Sequence, residues 1–138
     1  MMASQELLNK LNDALNREVS TFLRYMLQGA SIKGAEWESV RQMYLAEVAD
    51  EVGHAQYLAS KIVMLGGTPS LNPDLTLPPT DVKTMLQNDI AQEQTDVAGY
   101  TKLAELAEAE GLVDLKMTME DQAADEAGHA ELMLRLLG

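Results

Sequence analysis

Ala49-Asp50-Glu51-Val52-Gly53-His54-Ala55 and Ala124-Asp125-Glu126-Ala127-Gly128-His129-Ala130 nearly repeat each other, and they hold the only two histidines of the chain. Each histidine stands three residues after a glutamate, and the copies are 75 residues apart. The same offset carries Glu18 to Glu93 and Tyr25 to Tyr100. The chain thus reads as two copies of one helical hairpin, each contributing Glu and then Glu-x-x-His. That is the ligand set of a carboxylate-bridged pair of metal ions inside a four-helix bundle. Glu and His three apart share a helix face, so both can reach one ion.

Outward from the repeat, apolar residues recur at helical spacing. Leu8, Leu11, Leu15, Glu18, Phe22, Tyr25, Gly29 and Ile32 alternate steps of three and four, which puts them on one face. Ser4 suits an N-cap and Gly34 a stop. A second stripe runs through Val40, Tyr44, Val48, Glu51, Ala55, Leu58, Ile62 and Leu65, with His54 beside it, and ends at Gly66-Gly67. A third holds Val82, Leu86, Ile90, Glu93, Val97 and Tyr100; a fourth holds Leu115, Met119, Gln122, Glu126, His129, Met133 and Leu136. In each stripe a glutamate sits within the apolar seam, where a solvated carboxylate has no reason to fall.

The predicted class is all-α: one bundle over residues 1–138, with helices at about 4–33, 36–65, 81–110 and 112–137. Helices one and two, and three and four, are expected to be joined by a residue or two and to be antiparallel. Residues 68–79 carry Pro69, Pro73, Pro78 and Pro79 and cannot continue a helix. Such a linker spans ~40 Å against ~45 Å for a thirty-residue helix, so it can cross the bundle and make helices two and three parallel. The carboxylates then lie ~25 Å from their hairpin turns and meet near mid-bundle.

Composition narrows the function. A net charge of −12 argues against nucleic acid and anionic membranes as partners and suits a surface that attracts cations. There is no cysteine, hence no disulfide, thiolate metal site or thiol nucleophile. No apolar run approaches the ~20 residues of a membrane span, and the N-terminus lacks the features of a secretion signal, so a cytoplasmic protein is expected.

The expected chemistry follows from the donors. Carboxylate oxygen with imidazole nitrogen suits iron, manganese or zinc. Glu51 and Glu126 are placed to bridge, Glu18 and Glu93 to serve as terminal ligands, and His54 and His129 to take one metal each. Two divalent cations neutralise four carboxylates that would otherwise repel one another in a dry core. Asp50 and Asp125, four residues before His54 and His129, either orient those rings or are simply solvated. Tyr25 and Tyr100, two turns beyond Glu18 and Glu93, are hydrogen-bond donors to ligands, redox partners of the metals, or satisfied core tyrosines. Glu47, one turn before Glu51, is read as an exposed charge or as a carboxylate holding an incoming ion. Trp37 is read as a packing anchor.

The order Glu18, Glu51-x-x-His54, Glu93, Glu126-x-x-His129 resembles the ferritin-like superfamily, and bacterioferritin in particular. Asp50-Glu51-Val52-Gly53-His54-Ala55 with Leu65-Gly66-Gly67-Thr68-Pro69 is similar to that family's second helix and its exit. The resemblance implies a di-iron centre in which the four glutamates and two histidines are ligands, with Tyr25 beside it. It implies oxidation of iron(II) by dioxygen or hydrogen peroxide, and a homo-oligomer, at least a dimer. Bacterioferritins bind haem through a methionine that would fall at position 52; Val52 stands there, so no haem is expected. The chain ends nine residues after His129, where cage-forming members have a longer fourth helix and a short fifth one, so the resemblance leaves open whether a storage shell forms. Two alternatives stand beside this reading: a rubrerythrin-like peroxidase, with Asp96 after Glu93 as its extra carboxylate, and a non-catalytic metal-binding assembly protein.

Overall fold

The computed structural model describes residues 3–138. Four long helices make up the fold: α1 Gln5–Ser31, α2 Glu38–Met64, α3 Val82–Ala109 and α4 Val113–Leu137, with no strand among the described residues. Local sequence explains the helix ends. The Ser4 hydroxyl caps α1 by accepting from the Leu7 amide at 3.2 Å, and Asp81 caps α3 by accepting from Thr84 at 3.0 Å. Gly66 after α2 and Gly111 after α3 adopt positive φ, which satisfies the last carbonyls without Cβ strain.

The first hairpin turn is longer than the one or two residues expected. The chain leaves α1 at Ile32, turns at Gly34, and makes a 3-10 turn over Ala35–Trp37 before α2 begins at Glu38. Trp37 is half-buried and packs against the core formed by Ile32, Val40 and Tyr44.

Helix directions follow from cross-helix pairs. Arg17 of α1 meets Asp96 of α3 while Arg24 meets Asp89, so rising numbers on one helix match falling numbers on the other. Helices α1 and α3 are therefore antiparallel. α1 packs mainly along α2 and α3 along α4. With α2 also reversed against α1, α2 and α3 run parallel, as a long crossover requires.

That crossover is fastened to α1 by a polar stripe that the apolar periodicity does not reveal. Asn12 accepts from the Ser70 amide at 2.8 Å and donates to the Thr68 carbonyl at 3.0 Å. One turn on, Asn16 accepts from the Asn72 amide at 2.5 Å; a turn further, Ser20 accepts from the Asp74 amide at 2.8 Å. Residues four apart thus give an irregular segment the backbone partners it cannot make itself.

The apolar core is split in two. One half contains Leu7, Leu11, Leu58, Ile62, Leu103 and Leu115, and the other contains Tyr25, Ile32, Val40, Met85, Leu86 and Met133. Burying each such side chain contributes about 1.5–3 kcal/mol. Between them lies a layer of buried carboxylates and imidazoles, and a buried, unpaired ion costs several kcal/mol. One such ion offsets two or three leucines, so the layer persists only with protons or cations to neutralise it.

Candidate metal centre

Every helix delivers one glutamate to this layer: Glu18 from α1, Glu51 from α2, Glu93 from α3 and Glu126 from α4, each no more than 1 % exposed. His54 and His129 join from α2 and α4. Donor atoms of Glu18, Glu51, His54 and Glu126 lie within 4.8 Å of one another, as do those of Glu51, Glu93, Glu126 and His129. The two groups share Glu51 and Glu126. Each contains one imidazole and one carboxylate of its own.

These donors fit metal ions by what they lack. Oε2 of Glu18 and Glu93, both carboxylate oxygens of Glu51 and Glu126, and Nδ1 of both histidines are buried without a hydrogen-bond partner. Buried polar atoms are normally paired, so convergent orphans of one chemical type point to a missing electrophile. The Nδ1 of His54 stands 3.3 Å from Glu126 and 3.5 Å from Glu18, and that of His129 stands 3.2 Å from Glu51. A cation or a proton can occupy those gaps.

Titration follows the same logic. Burial pushes the Glu51 and Glu126 carboxyls upward, with the neighbouring Glu18 charge adding to it. Burial disfavours charge on the histidines but is outweighed: Glu18 and Asp125 lift His54 to about 9, and Glu51 and Glu93 lift His129 to about 11. Against its own burial, Glu18 is lowered by contacts with Glu51, His54 and Tyr100. Without metal, protons therefore hold the layer together.

The residues around the donors pair across helices. Tyr25 of α1 donates to Glu93 of α3 at 2.5 Å, and Tyr100 of α3 donates to Glu18 of α1 at 2.7 Å. Each tyrosine thus fixes one oxygen of the other helix's glutamate and leaves the second free. The aspartates also cross, which corrects the same-helix pairing drawn from spacing. His54 Nε2 contacts Asp125 at 2.9 Å, and His129 Nε2 contacts Asp50 at 3.1 Å. Because α2 and α4 are antiparallel neighbours, each ring, with Nδ1 turned inward, extends its outer edge onto the facing helix. Asp50 and Asp125 are 59 % and 56 % exposed, so both keep contact with solvent.

Glu47 is not an exposed charge. It is 4 % exposed, and neither carboxylate oxygen has a partner. Periodicity misplaced it because the buried arc of α2 takes in Met43 and Glu47 and leaves Val48 half-buried.

Two further carboxylates lie in the core: Asp89, which the apolar stripe passes over, and Asp96, read from the sequence only as the extra carboxylate of the rubrerythrin-like alternative. Asp89, 1 % exposed, accepts from Arg24 at 2.9 Å, Gln28 at 2.8 Å and Tyr44 at 2.7 Å. Asp96, 3 % exposed, accepts from Arg17 at 3.0 Å and belongs to neither donor group. A legible signal existed: Arg17 and Arg24 are seven apart on α1, as are Asp89 and Asp96 on α3. Gly99 is part of it, since a Cβ there would overlap the Arg17 guanidinium.

Comparison with known proteins agrees with this architecture. The ferritin-like domain family matches residues 8–138. The chain is 35 % identical to a ferritin-like, diiron-carboxylate protein from Bacillus anthracis, covering 97 % of this chain and 96 % of that one, with a TM-score of 0.92. It is 26 % identical to a bacterioferritin of Brucella melitensis, over 96 % of this chain and 83 % of the relative. It is 27 % identical to a bacterial ferritin of Pseudomonas aeruginosa, over 100 % and 90 % of the two chains.

Proposed function

The chain belongs to the ferritin-like domain family, and from that premise we propose that it binds two iron(II) ions as substrate and oxidises them with dioxygen or hydrogen peroxide. The observation that carries this reading is the pair of donor groups sharing Glu51 and Glu126, whose inward-facing atoms are buried and unpartnered. The similar Bacillus anthracis protein is described as diiron-carboxylate. Glu18 and His54 hold one iron, Glu93 and His129 the other, and Glu51 and Glu126 bridge. Two iron(II) ions supply the two electrons that, with two protons, reduce hydrogen peroxide to two waters.

The chain's own residues account for the rest. Tyr25 and Tyr100 hold Glu93 and Glu18 in place. Asp50 and Asp125 orient the imidazoles from outside, which fixes the tautomer with Nδ1 free to ligate. The apolar halves above and below exclude water. Manganese or zinc fits the same donors, and native iron is part of the proposal. Val52, half-buried and without a thioether, supports a protein without haem.

The rubrerythrin-like alternative loses its main support, because Asp96 is engaged by Arg17. We further place the protein in the cytoplasm as a homo-oligomer, with no nucleic-acid or membrane partner. No helix among the described residues is long and apolar enough to cross a membrane. Exposed Leu71, Leu75 and Leu77 on the crossover suit a second copy.

Anaerobic iron(II) titration followed by air or peroxide tests the reading. A ferric near-ultraviolet absorbance should saturate at two irons per chain and be lost in Glu51→Ala. Binding indifferent to that substitution would sink it.

A further inference from the structure

The 75-residue repeat maps one donor group onto the other. Glu18 corresponds to Glu93, Glu51 to Glu126, His54 to His129, and Tyr25 to Tyr100. The buried surroundings do not map so evenly. Glu47 of the first copy corresponds to Gln122 of the second. Both side chains are buried, at 4 % and 5 % exposure, and both carry oxygens without a partner. One is an acid and the other its neutral isostere.

Glu47 acts on one side of the centre. It stands one turn before Glu51 on α2 and His54 about one turn after it, so Glu47 lies on the side of Glu51 away from His54, the side on which His129 meets Asp50 at 3.1 Å and stands 3.5 Å from Glu93. Glu93 and His129 are the donors unique to one group. Two other buried carboxylates each meet an arginine, Asp89 with Arg24 and Asp96 with Arg17, whereas neither oxygen of Glu47 has a hydrogen-bond partner.

We infer that Glu47 makes the two metal positions unequal, so that the first divalent cation settles at the Glu93–His129 position and the second at the Glu18–His54 position. The physical cause is an additional buried carboxylate facing one cation and not the other, in a medium that screens poorly. Burial pushes that carboxyl up to about 8, and a cation bound beside it would favour the ionised form. Glu47 is thus a positioning residue that sets the order of filling. Gln122, which has the same shape without the charge, leaves the other position weaker.

This inference rests on the six-residue donor set proposed above, and zinc, which has no redox chemistry, separates the two claims. The protein is crystallised with one equivalent of zinc per chain, and occupancies at both positions are read by anomalous diffraction at the zinc edge. The wild-type chain should favour the Glu93–His129 position on the order of tenfold. Glu47→Gln should equalise the positions, and Glu47→Gln combined with Gln122→Glu should reverse the preference. The swap preserves net charge and residue composition, so a reversal cannot come from a global change in charge. Equal occupancy in the wild-type chain, or a preference unmoved by the swap, overturns the inference and leaves the donor set standing. Zinc at neither position overturns both.

Discussion

The outer nitrogen of His129 meets Asp50 of the facing helix at 3.1 Å, while Asp125, one turn before His129 on its own helix, meets His54 instead. The two Glu-x-x-His segments are therefore interlocked. Each positions the other's imidazole.

Removing one aspartate should consequently act across the bundle. Asp50→Ala is expected to weaken zinc binding at the His129 position, and Asp125→Ala at the His54 position. Loss of an outer hydrogen bond to a ligating histidine typically costs about 10–100-fold in affinity. Zinc occupancy at each position reads the effect. The opposite assignment would mean that same-helix pairing governs in solution.

The pH dependence of the metal-free protein has a definite sign. His54 and His129 are raised from 6.5 to about 9 and about 11, with carboxylate contacts outweighing burial. A raised histidine stabilises the fold fully below its unfolded pKa and loses that contribution as pH rises through the folded value. Glu47, raised by burial from 4.5 to about 8, favours its protonated form in the fold and so acts in the same direction. The urea midpoint should therefore fall between about pH 6 and pH 10. Metal binding displaces these protons, so zinc affinity should rise across the same window. A metal-free midpoint that climbs with pH would contradict the protonated layer.

Tyr25→Phe keeps the ring and removes the hydroxyl that donates to Glu93 at 2.5 Å. It leaves a fully buried carboxylate oxygen without its donor, which costs about 1–3 kcal/mol. Chemical denaturation of the metal-free protein should show that loss. A change within error would mean that water or a rearranged Glu93 replaces the hydroxyl.

The crossover should loosen without unfolding the bundle. Asn16→Ala deletes the acceptor for the Asn72 amide and donor contacts to Ser70. Hydrogen exchange should accelerate at Ser70, Asn72 and Asp74, while global stability changes by about 1 kcal/mol or less. Unchanged exchange would show that the linker is held by other means.

Much of this architecture was legible in the chain because its signals are periodic. Alternating steps of three and four exposed the helix faces, and Glu18, Glu51, Glu93 and Glu126 stood out as charges on those faces. Glu47 and Asp89 escaped for the converse reason. Both lie on the stripes themselves, three residues after Tyr44 and Leu86 and four before Glu51 and Glu93, but the apolar Val48 and Ile90 beside them complete the pattern without a charge. The Asn12, Asn16 and Ser20 stripe looked like ordinary surface, since its partner is an irregular segment with no period of its own.

By itself, the sequence determined what depends on spacing along one helix: four amphipathic helices, a proline-rich crossover, and six metal-type donors at matched heights. Only the tertiary structure decided who pairs with whom. Tyr25 with Glu93, His129 with Asp50, Asp96 with Arg17 and the burial of Glu47 are contacts between residues on different helices. Spacing constrains rise and angle about a single axis, whereas partner choice depends on the distance and rotation between axes. Those are set by how the side chains of all four helices pack together.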